Sequence, residues 1–314
     1  MPKCSIMYFT QLPDHNRPGF DERLHFSRFS KQNIVFNALG TQAGCDNHIG
    51  CLSFKTVLSG EEEYGIDGRH IAVRPGQFLI LNDDQPYSCR IQGREPARIV
   101  SVFFKKEFAG EVFNDASGDE ATSLDNPQNR PTAPIEFFQT LYPIDPVLCH
   151  QLDAFIKELD TQSYNSDATD EYLIFFLRHL LQTHRSELTR AARVKALKPS
   201  TRKEIFKRLC IAKDLLHTSY HQPLDLETLS STACLSIPQL VRQFRAAFHT
   251  TPHRYLVRLR LDNAARLLTT TALPIRDITW QCGFENPSAF ARAFKSAYKT
   301  QPENYRHLCQ LSIF

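Results

Sequence analysis

Short apolar runs punctuated by turn residues fill the first third of the chain: Ile34 to Leu39, Cys51 to Leu58, His70 to Val73, Phe78 to Leu81 and Arg98 to Phe104. Turn signals stand between them at Ser59-Gly60, Asp67-Gly68, Pro75-Gly76 and Asn82-Asp83-Asp84. Runs this short, with tight turns and no helical pattern between them, predict an antiparallel β-sandwich or barrel. Within one run Leu52, Phe54, Thr56 and Leu58 alternate with Cys51, Ser53, Lys55 and Val57, the two-residue period of a strand.

The pattern then changes. Residues 114–134 are polar and rich in Pro, Asn, Asp and Ser, which predicts a loop. Leu148, Leu152, Phe155, Ile156 and Leu159 form one apolar stripe at helical spacing, and Tyr172 to Leu181 is apolar on nearly every side. A helix of the second kind must be covered all round, either by its own domain or by a second copy of the chain. Residues 186–203, with many basic residues and Pro199-Ser200, read as an interdomain linker, and everything after them reads as helical.

Composition sharpens this division. A length of 314 residues predicts two domains, and 42% hydrophobic with 23% charged residues is ordinary for a globular protein. Residues 1–200 carry 21 Lys and Arg against 26 Asp and Glu, a net −5, while residues 201–314 carry 16 against 8, a net +8. A basic tail on an acidic body suggests that the tail meets a polyanion, although a merely solvated basic surface is the alternative that charge alone leaves open. No apolar run approaches the ~20 residues of a membrane span. Nine cysteines without a Cys-x-x-Cys pair argue against a disulfide framework, and the first residues lack a secretory pattern, so a cytoplasmic protein is expected.

The basic tail contains a repeat. Leu226, Leu229, Ala233 and Leu235 recur 49 positions later as Ile275, Ile278, Cys282 and Phe284. Leu240 to Phe244 then recurs 50 positions later as Phe290 to Phe294, and Phe248 recurs as Tyr298. Each copy parses as helix, short turn, helix. Asp225 can cap the first helix and Ser236 the second, with Pro238 in its first turn; in the other copy Pro274 opens the first helix, Gly283 supplies the turn and Asn286-Pro287 starts the second. A turn this short between helices is the helix-turn-helix signature, whose second helix enters the DNA major groove.

The second helices, Ser236 to Phe248 and Asn286 to Tyr298, divide into two faces. Leu240, Phe244 and Phe248, like Phe290, Phe294 and Tyr298, are expected in the core. The DNA-facing candidates are Ser236, Pro238, Gln239, Val241, Arg242 and Arg245 in the first copy and Asn286, Ser288, Ala291, Arg292 and Lys295 in the second. Arginine can give two hydrogen bonds to a guanine edge or neutralise phosphate, and small apolar groups such as Val241 and Ala291 suit thymine methyls. A helix from about Pro252 to Leu268 separates the copies; its 17 residues span roughly 25 Å, so both second helices could meet one duplex about one turn apart, ~34 Å.

Residues 202–306 resemble the DNA-binding domain of the AraC/XylS family of bacterial transcription regulators. The resemblance rests on Ile278-Thr279-Trp280-Gln281-Cys282-Gly283-Phe284, on Phe290-Ala291-Arg292-Ala293-Phe294-Lys295 and on Gln301-Pro302-Glu303-Asn304-Tyr305-Arg306. The chain departs from the family at His249, Lys299 and Cys234, where glycine is usual; none of these is among the groove-facing positions. The stretch Arg74 to Asn82 is similar to the family's cupin-like barrel.

The resemblance implies an α+β protein of two domains: a cupin- or jelly-roll-like antiparallel β-barrel over 1–140 that binds a small-molecule effector, a two-helix dimerisation segment over 141–190, a linker over 191–201 and an all-α reader over 202–314. It further implies double-stranded DNA at a promoter or operator as partner, a homodimer, and RNA polymerase as a further candidate partner for an activator. Lys55, Tyr87 and Arg98 are the candidate polar residues of the effector pocket.

A metal-dependent cupin enzyme with a DNA-binding tail is the rival reading. It needs clustered inward histidines, and no His-x-His occurs; His48 and His70 read as surface or core hydrogen-bonding residues. The pairs His217/His221 and His249/His253 lie near prolines at helix ends and read as chance spacing. No cofactor, metal or catalytic residue is therefore expected. Glu61-Glu62-Glu63 reads as a solvated hairpin edge, and Cys45 and Cys51 read as buried thiols before they read as a sensor.

Overall fold

The computed structural model describes residues 6–13, 20–29, 31–117, 135–161 and 166–311, and the chain divides into two units, Met1–Thr189 and Arg190–Phe314. Among the described residues the first unit holds a short helix α1 (Glu22–Ser27) and an eight-stranded sheet: β1 (Ile6–Phe9), β2 (Asn33–Ile49), β3 (Ser53–Ser59), β4 (Glu62–Ile66), β5 (Arg69–Val73), β6 (Gln77–Leu81), β7 (Pro86–Phe103) and β8 (Leu141–Pro143). The order is β1-β2-β7-β3-β6-β8, with β4 bridging β5 and β7. All pairings are antiparallel except β1 with β2, a parallel edge that the expected all-antiparallel sheet did not contain. Strand β7 is the spine: its Ser88–Arg90 stretch pairs with β4, its Arg98–Phe103 stretch with β3, and β2 follows it almost throughout.

The alternation in β3 holds, but both of its faces are buried. Leu52 and Phe54 join Phe78, Ile80, Val100 and Val102 on the outer face, which is covered by the helices α2 (Lys106–Ser117), α3 (Pro146–Asp160) and α4 (Ser166–Ala192). Val57 joins Ile71, Leu79, Leu81, Ile91 and Ile99 on the inner face. A strand covered twice reads as a continuous apolar run, which is why Phe78-Leu79-Ile80-Leu81 shows no polar alternation. The expected turns are present: Gly60, Gly68 and Gly76 all carry positive φ, as does Asp84.

Two helical readings hold and two loop readings need correction. The stripe Leu148, Leu152, Phe155, Ile156 and Leu159 is buried in α3, which Asp145 caps by accepting a hydrogen bond from the Leu148 amide at 2.8 Å. In α4, Leu173, Phe176, Leu177, Leu180 and Leu181 are buried within their own unit, while Ile174 and Phe175 are only partly covered. Residues 114–117, expected in a loop, end α2, whose Phe108, Ala109, Val112 and Phe113 recur at helical spacing and enter the core; the rest of that expected loop, 118–134, lies outside the described residues. The expected linker over 186–203 is mostly helical, because α4 continues to Ala192 and α5 (Pro199–Thr218) begins soon after. Only residues 193–198 leave helix there.

The second unit is helical. After α5 come α6 (Leu226–Thr232), α7 (Ile237–Phe248), α8 (Pro252–Thr270), α9 (Ile275–Gln281), α10 (Pro287–Tyr298) and α11 (Pro302–Leu311). The helix-turn-helix pairs are α6-α7 and α9-α10, with α8 between them. Among the described residues no helix is long and apolar enough to cross a membrane.

Candidate nucleic-acid interface and ligand cavity

The turns of the two helix-turn-helix pairs close alike. In the first turn the Leu235 amide donates to the Ser230 carbonyl and the Cys234 amide to the Ser231 carbonyl, both at 3.1 Å. In the second the Phe284 amide donates to Thr279 at 3.1 Å and the Gly283 amide to Trp280 at 2.9 Å. This is a Schellman closure, which needs a left-handed residue, and Cys234 and Gly283 supply it with φ of 50° and 76°. Helices α7 and α10 also end on left-handed residues that are not glycine, His249 and Lys299, whose amides donate to the Arg245 and Lys295 carbonyls.

Leu240 and Phe244 in α7, and Phe290 and Phe294 in α10, are fully buried, so the opposite face of each helix points outward. Ser236, Pro238, Arg242 and Arg245 are exposed on α7, with Gln239 and Val241 half-buried beside them; Asn286, Ser288, Arg292 and Lys295 are exposed on α10, with Ala291 half-buried. Among the described residues no ion pair engages Arg242, Arg245, Arg292 or Lys295. One expected cap needs correction: Asn286 accepts a hydrogen bond from the Ala289 amide at 2.8 Å, whereas the Ser236 side chain makes no such bond.

Two polar clamps tie these helices to their neighbours. Buried Gln243 in α7 accepts from the Lys195 amide at 2.9 Å and donates to the Lys195 carbonyl at 3.0 Å, fixing the 193–198 segment against the helix. Tyr298 donates to Asp262 at 2.7 Å while Arg258 pairs with Asp262 at 2.8 Å, tying α10 to α8. Burial and that carboxylate push the Tyr298 hydroxyl well above its ordinary pKa. Helical periodicity carries no sign that Gln243 is buried.

A partly open cavity lies on the inner face of the sheet unit. Cross-strand register assembles it. Phe36, Ser101 and Lys55 stand in one row across β2, β7 and β3, and Cys45, Cys89 and Tyr64 stand in another across β2, β7 and β4. His48 faces Tyr87, and the two share a hydrogen bond at 2.5 Å between Nδ1 and the hydroxyl. The Lys55 side chain is only 2% exposed, and its ammonium lies 3.4 Å from the centre of the Phe103 ring. Burial lowers its pKa to about 8, with Glu62 pulling it back upward. Glu62 is itself 4% exposed and accepts from the Tyr64 hydroxyl at 2.6 Å; burial raises its pKa. The Cys51 thiol is pushed to about 12, chiefly by burial.

Among the polar pocket candidates, Lys55 and Tyr87 therefore line one cavity, and Arg98 does not. Arg98 donates to Asn37 at 3.0 Å and pairs with Asp160 at 3.5 Å, in a network where Tyr8 also donates to Asp160 at 2.5 Å; it joins the sheet to the end of α3. Glu61-Glu62-Glu63 is not uniformly solvated, because alternation along β4 turns Glu62 inward while Glu63 meets exposed His70 at 3.1 Å. Among the described residues no group of three or more His, Cys, Asp and Glu could hold a metal ion.

Comparison with known proteins fits both halves. An AraC-like ligand binding domain matches residues 54–177, and a helix-turn-helix domain matches residues 229–307. The chain belongs to the AraC family. This is a family of transcription regulators and not of enzymes, so the metal-dependent enzyme reading falls. The regulator AlkR of Acinetobacter baylyi is 33% identical over 91 residues, 29% of this chain and 30% of that protein. The activator RhaS of an Enterobacter species is 33% identical over 91 residues, 29% of this chain and 33% of that protein. A crystal structure of the DNA-binding domain of AdpA with a target DNA matches 33% of this chain and 95% of that chain, at 27% identity and a TM-score of 0.33. The first curated relatives are matched over only 26% to 34% of their own length.

Within this AraC-family chain, sequence reasoning missed Glu62, Tyr64, His48, Cys89 and Phe103 as cavity residues. Only pairing across strands brings them to Lys55, and no local period encodes it.

Proposed function

We propose that the chain is a sequence-specific DNA-binding transcription regulator whose two recognition helices, α7 and α10, enter successive major-groove segments of one duplex. One observation carries this: Arg242 and Arg292 occupy equivalent positions in the two copies, and both are exposed opposite a buried aromatic stripe. Arginine on such a face can read guanine, and Val241 and Ala291 beside it offer apolar contact to thymine methyls. Lys and Arg contacts to phosphate supply the sequence-independent share of the affinity.

In this reading the sheet through about residue 140 takes a small-molecule effector in its cavity and the reader over 202–314 responds. The partly covered Ile174 and Phe175 on α4 support a homodimer built on the 141–190 helices. Work inside the cell, with RNA polymerase as a partner at activated promoters, follows from a DNA reader.

Selection of bound duplexes from a random pool by the full chain, followed by footprinting, tests the proposal. The expected outcome is an enriched site with two protected major-groove segments about one turn, ~34 Å, apart. No enrichment over random DNA would overturn it. Sedimentation of the full chain tests the homodimer, which a monomer at every concentration would remove.

A further inference from the structure

A buried ammonium ordinarily finds an acceptor, because taking a charge out of water costs several kcal/mol unless it is paired. Lys55 breaks this pattern. Its side chain is 2% exposed, yet among the described residues its Nζ makes no hydrogen bond and no ion pair within 4.0 Å. What it has is the faces of Phe103 at 3.4 Å and Tyr87 at 5.4 Å. Ring faces attract a cation but offer its three N–H donors no lone pair. The nearby carboxylate of Glu62 is engaged elsewhere, by the Tyr64 hydroxyl at 2.6 Å.

The surroundings restrict what could complete the site. The cavity has about 70 Å³ of free room, enough for roughly five water molecules, so a ligand that fills it is compact. Its walls are largely aromatic and aliphatic, with Phe29, Phe36, Phe103 and Ile99 among them. Ser101 stands opposite Lys55 in the register of β7 and β3 and lines the same space.

We infer that the cavity binds a compact organic monocarboxylate, with its carboxylate on Lys55 Nζ and Ser101 and its apolar body against Phe29, Phe36 and Ile99. This deepens the effector role proposed for the cavity and rests on it. Burial favours the neutral form of Glu62, so one negative charge from the ligand balances the single ammonium. A phosphate dianion would bring a second charge with no second cation to meet it. A neutral sugar would leave the ammonium uncompensated and set its hydroxyls against rings.

Calorimetric titration of the full chain tests this with benzoate and hexanoate, each beside its neutral isostere, benzamide or hexanamide. The carboxylates are expected to bind with one site per chain and the amides at least about tenfold more weakly, as loss of a desolvated charge partner exceeds about 1.4 kcal/mol. Lys55→Met is expected to lose the same factor for the carboxylates while leaving the amides unchanged. Lys55→Gln, which keeps a polar group in the cavity, should show the same loss, and thermal melting checks that both variants fold. Three outcomes would each overturn the inference: no carboxylate binding up to roughly 10 mM, equal binding of acid and amide, or undiminished carboxylate binding by both variants.

A parallel DNA-binding titration separates this from the effector role. Carboxylate binding with no change in DNA affinity keeps the ligand class and overturns the effector role. A DNA response to the amides alone does the reverse.

Discussion

The two helix-turn-helix copies share one backbone design but are held by different means, and the difference shows which parts of the repeat local sequence controls. In the second copy the turn residue is Gly283, and a Cβ there would meet the carbonyl oxygens of Tyr220 and His221 at 2.9 Å. Those carbonyls belong to the stretch after α5, where Arg260 donates to the Tyr220 carbonyl at 2.7 Å and to the Gln222 carbonyl at 2.8 Å. In the first copy the equivalent Cys234 is exposed, and Arg208 donates to its carbonyl at 3.0 Å. Glycine is thus required in one copy by close approach, while the other tolerates a side chain in the left-handed region at a cost of roughly 1–2 kcal/mol. The same closure, repeated, is constrained by what each copy packs against.

The sharpest way to break this comparison is Gly283→Ala. Strain at φ 76° adds to the collision with carbonyl oxygen, and a loss of about 2–4 kcal/mol is expected in urea unfolding followed by fluorescence of the single tryptophan, Trp280, which lies in this copy. Cys234→Gly in the first copy is expected to be neutral or to stabilise by about 0.5–1 kcal/mol. Equal losses at both sites would show that the turns are equivalent after all.

Next in size are the exposed arginines. Arg292→Ala is expected to weaken binding to a selected site by about 10- to 100-fold, the worth of a bidentate base contact of roughly 1–3 kcal/mol, with much less change on random DNA. Arg242→Ala should do the same at the other half of the footprint. Equal loss on both kinds of DNA, measured by fluorescence anisotropy, would make either residue a phosphate contact.

Gln243→Ala leaves the Lys195 amide and carbonyl without their partner and is expected to cost about 2 kcal/mol by circular-dichroism unfolding. Its counterpart Ala293 holds no such segment, so Ala293→Ser should change little. The smallest effect concerns the caps. Asn286→Ala should cost about 1 kcal/mol, because Asn286 accepts from the Ala289 amide, whereas Ser236→Ala should cost almost nothing. A measurable loss at Ser236 would mean that its hydroxyl caps α7 in solution.

The reader half was legible from sequence because helices are local. Core positions recur every three or four residues, so the stripe Leu240, Phe244 and Phe248 and its copy announced both helices and their outward faces. Signals in the sheet half were also local where turns were concerned, at Gly60, Gly68 and Gly76. Three readings failed where charged or polar residues mask the underlying element. Strand β4 looked like a charged edge because Glu61 and Glu63 hide the inward alternation of Glu62 and Tyr64. Helix α2 was lost beneath a polar stretch that begins near its end. The 186–203 stretch has few large apolar residues yet is composed mainly of good helix formers.

The sequence by itself determined the duplicated reader, the cationic face of each copy and the family, because each is written in residues a few positions apart. Only the tertiary structure decided that Lys55 is an enclosed ammonium facing Phe103, that Glu62 and Tyr64 turn toward the same cavity and that Arg98 braces the sheet outside it. The physical reason is register. Partners across a sheet are tens of residues apart in the chain, and slipping a strand by a single residue would move each of its own side chains to the opposite face.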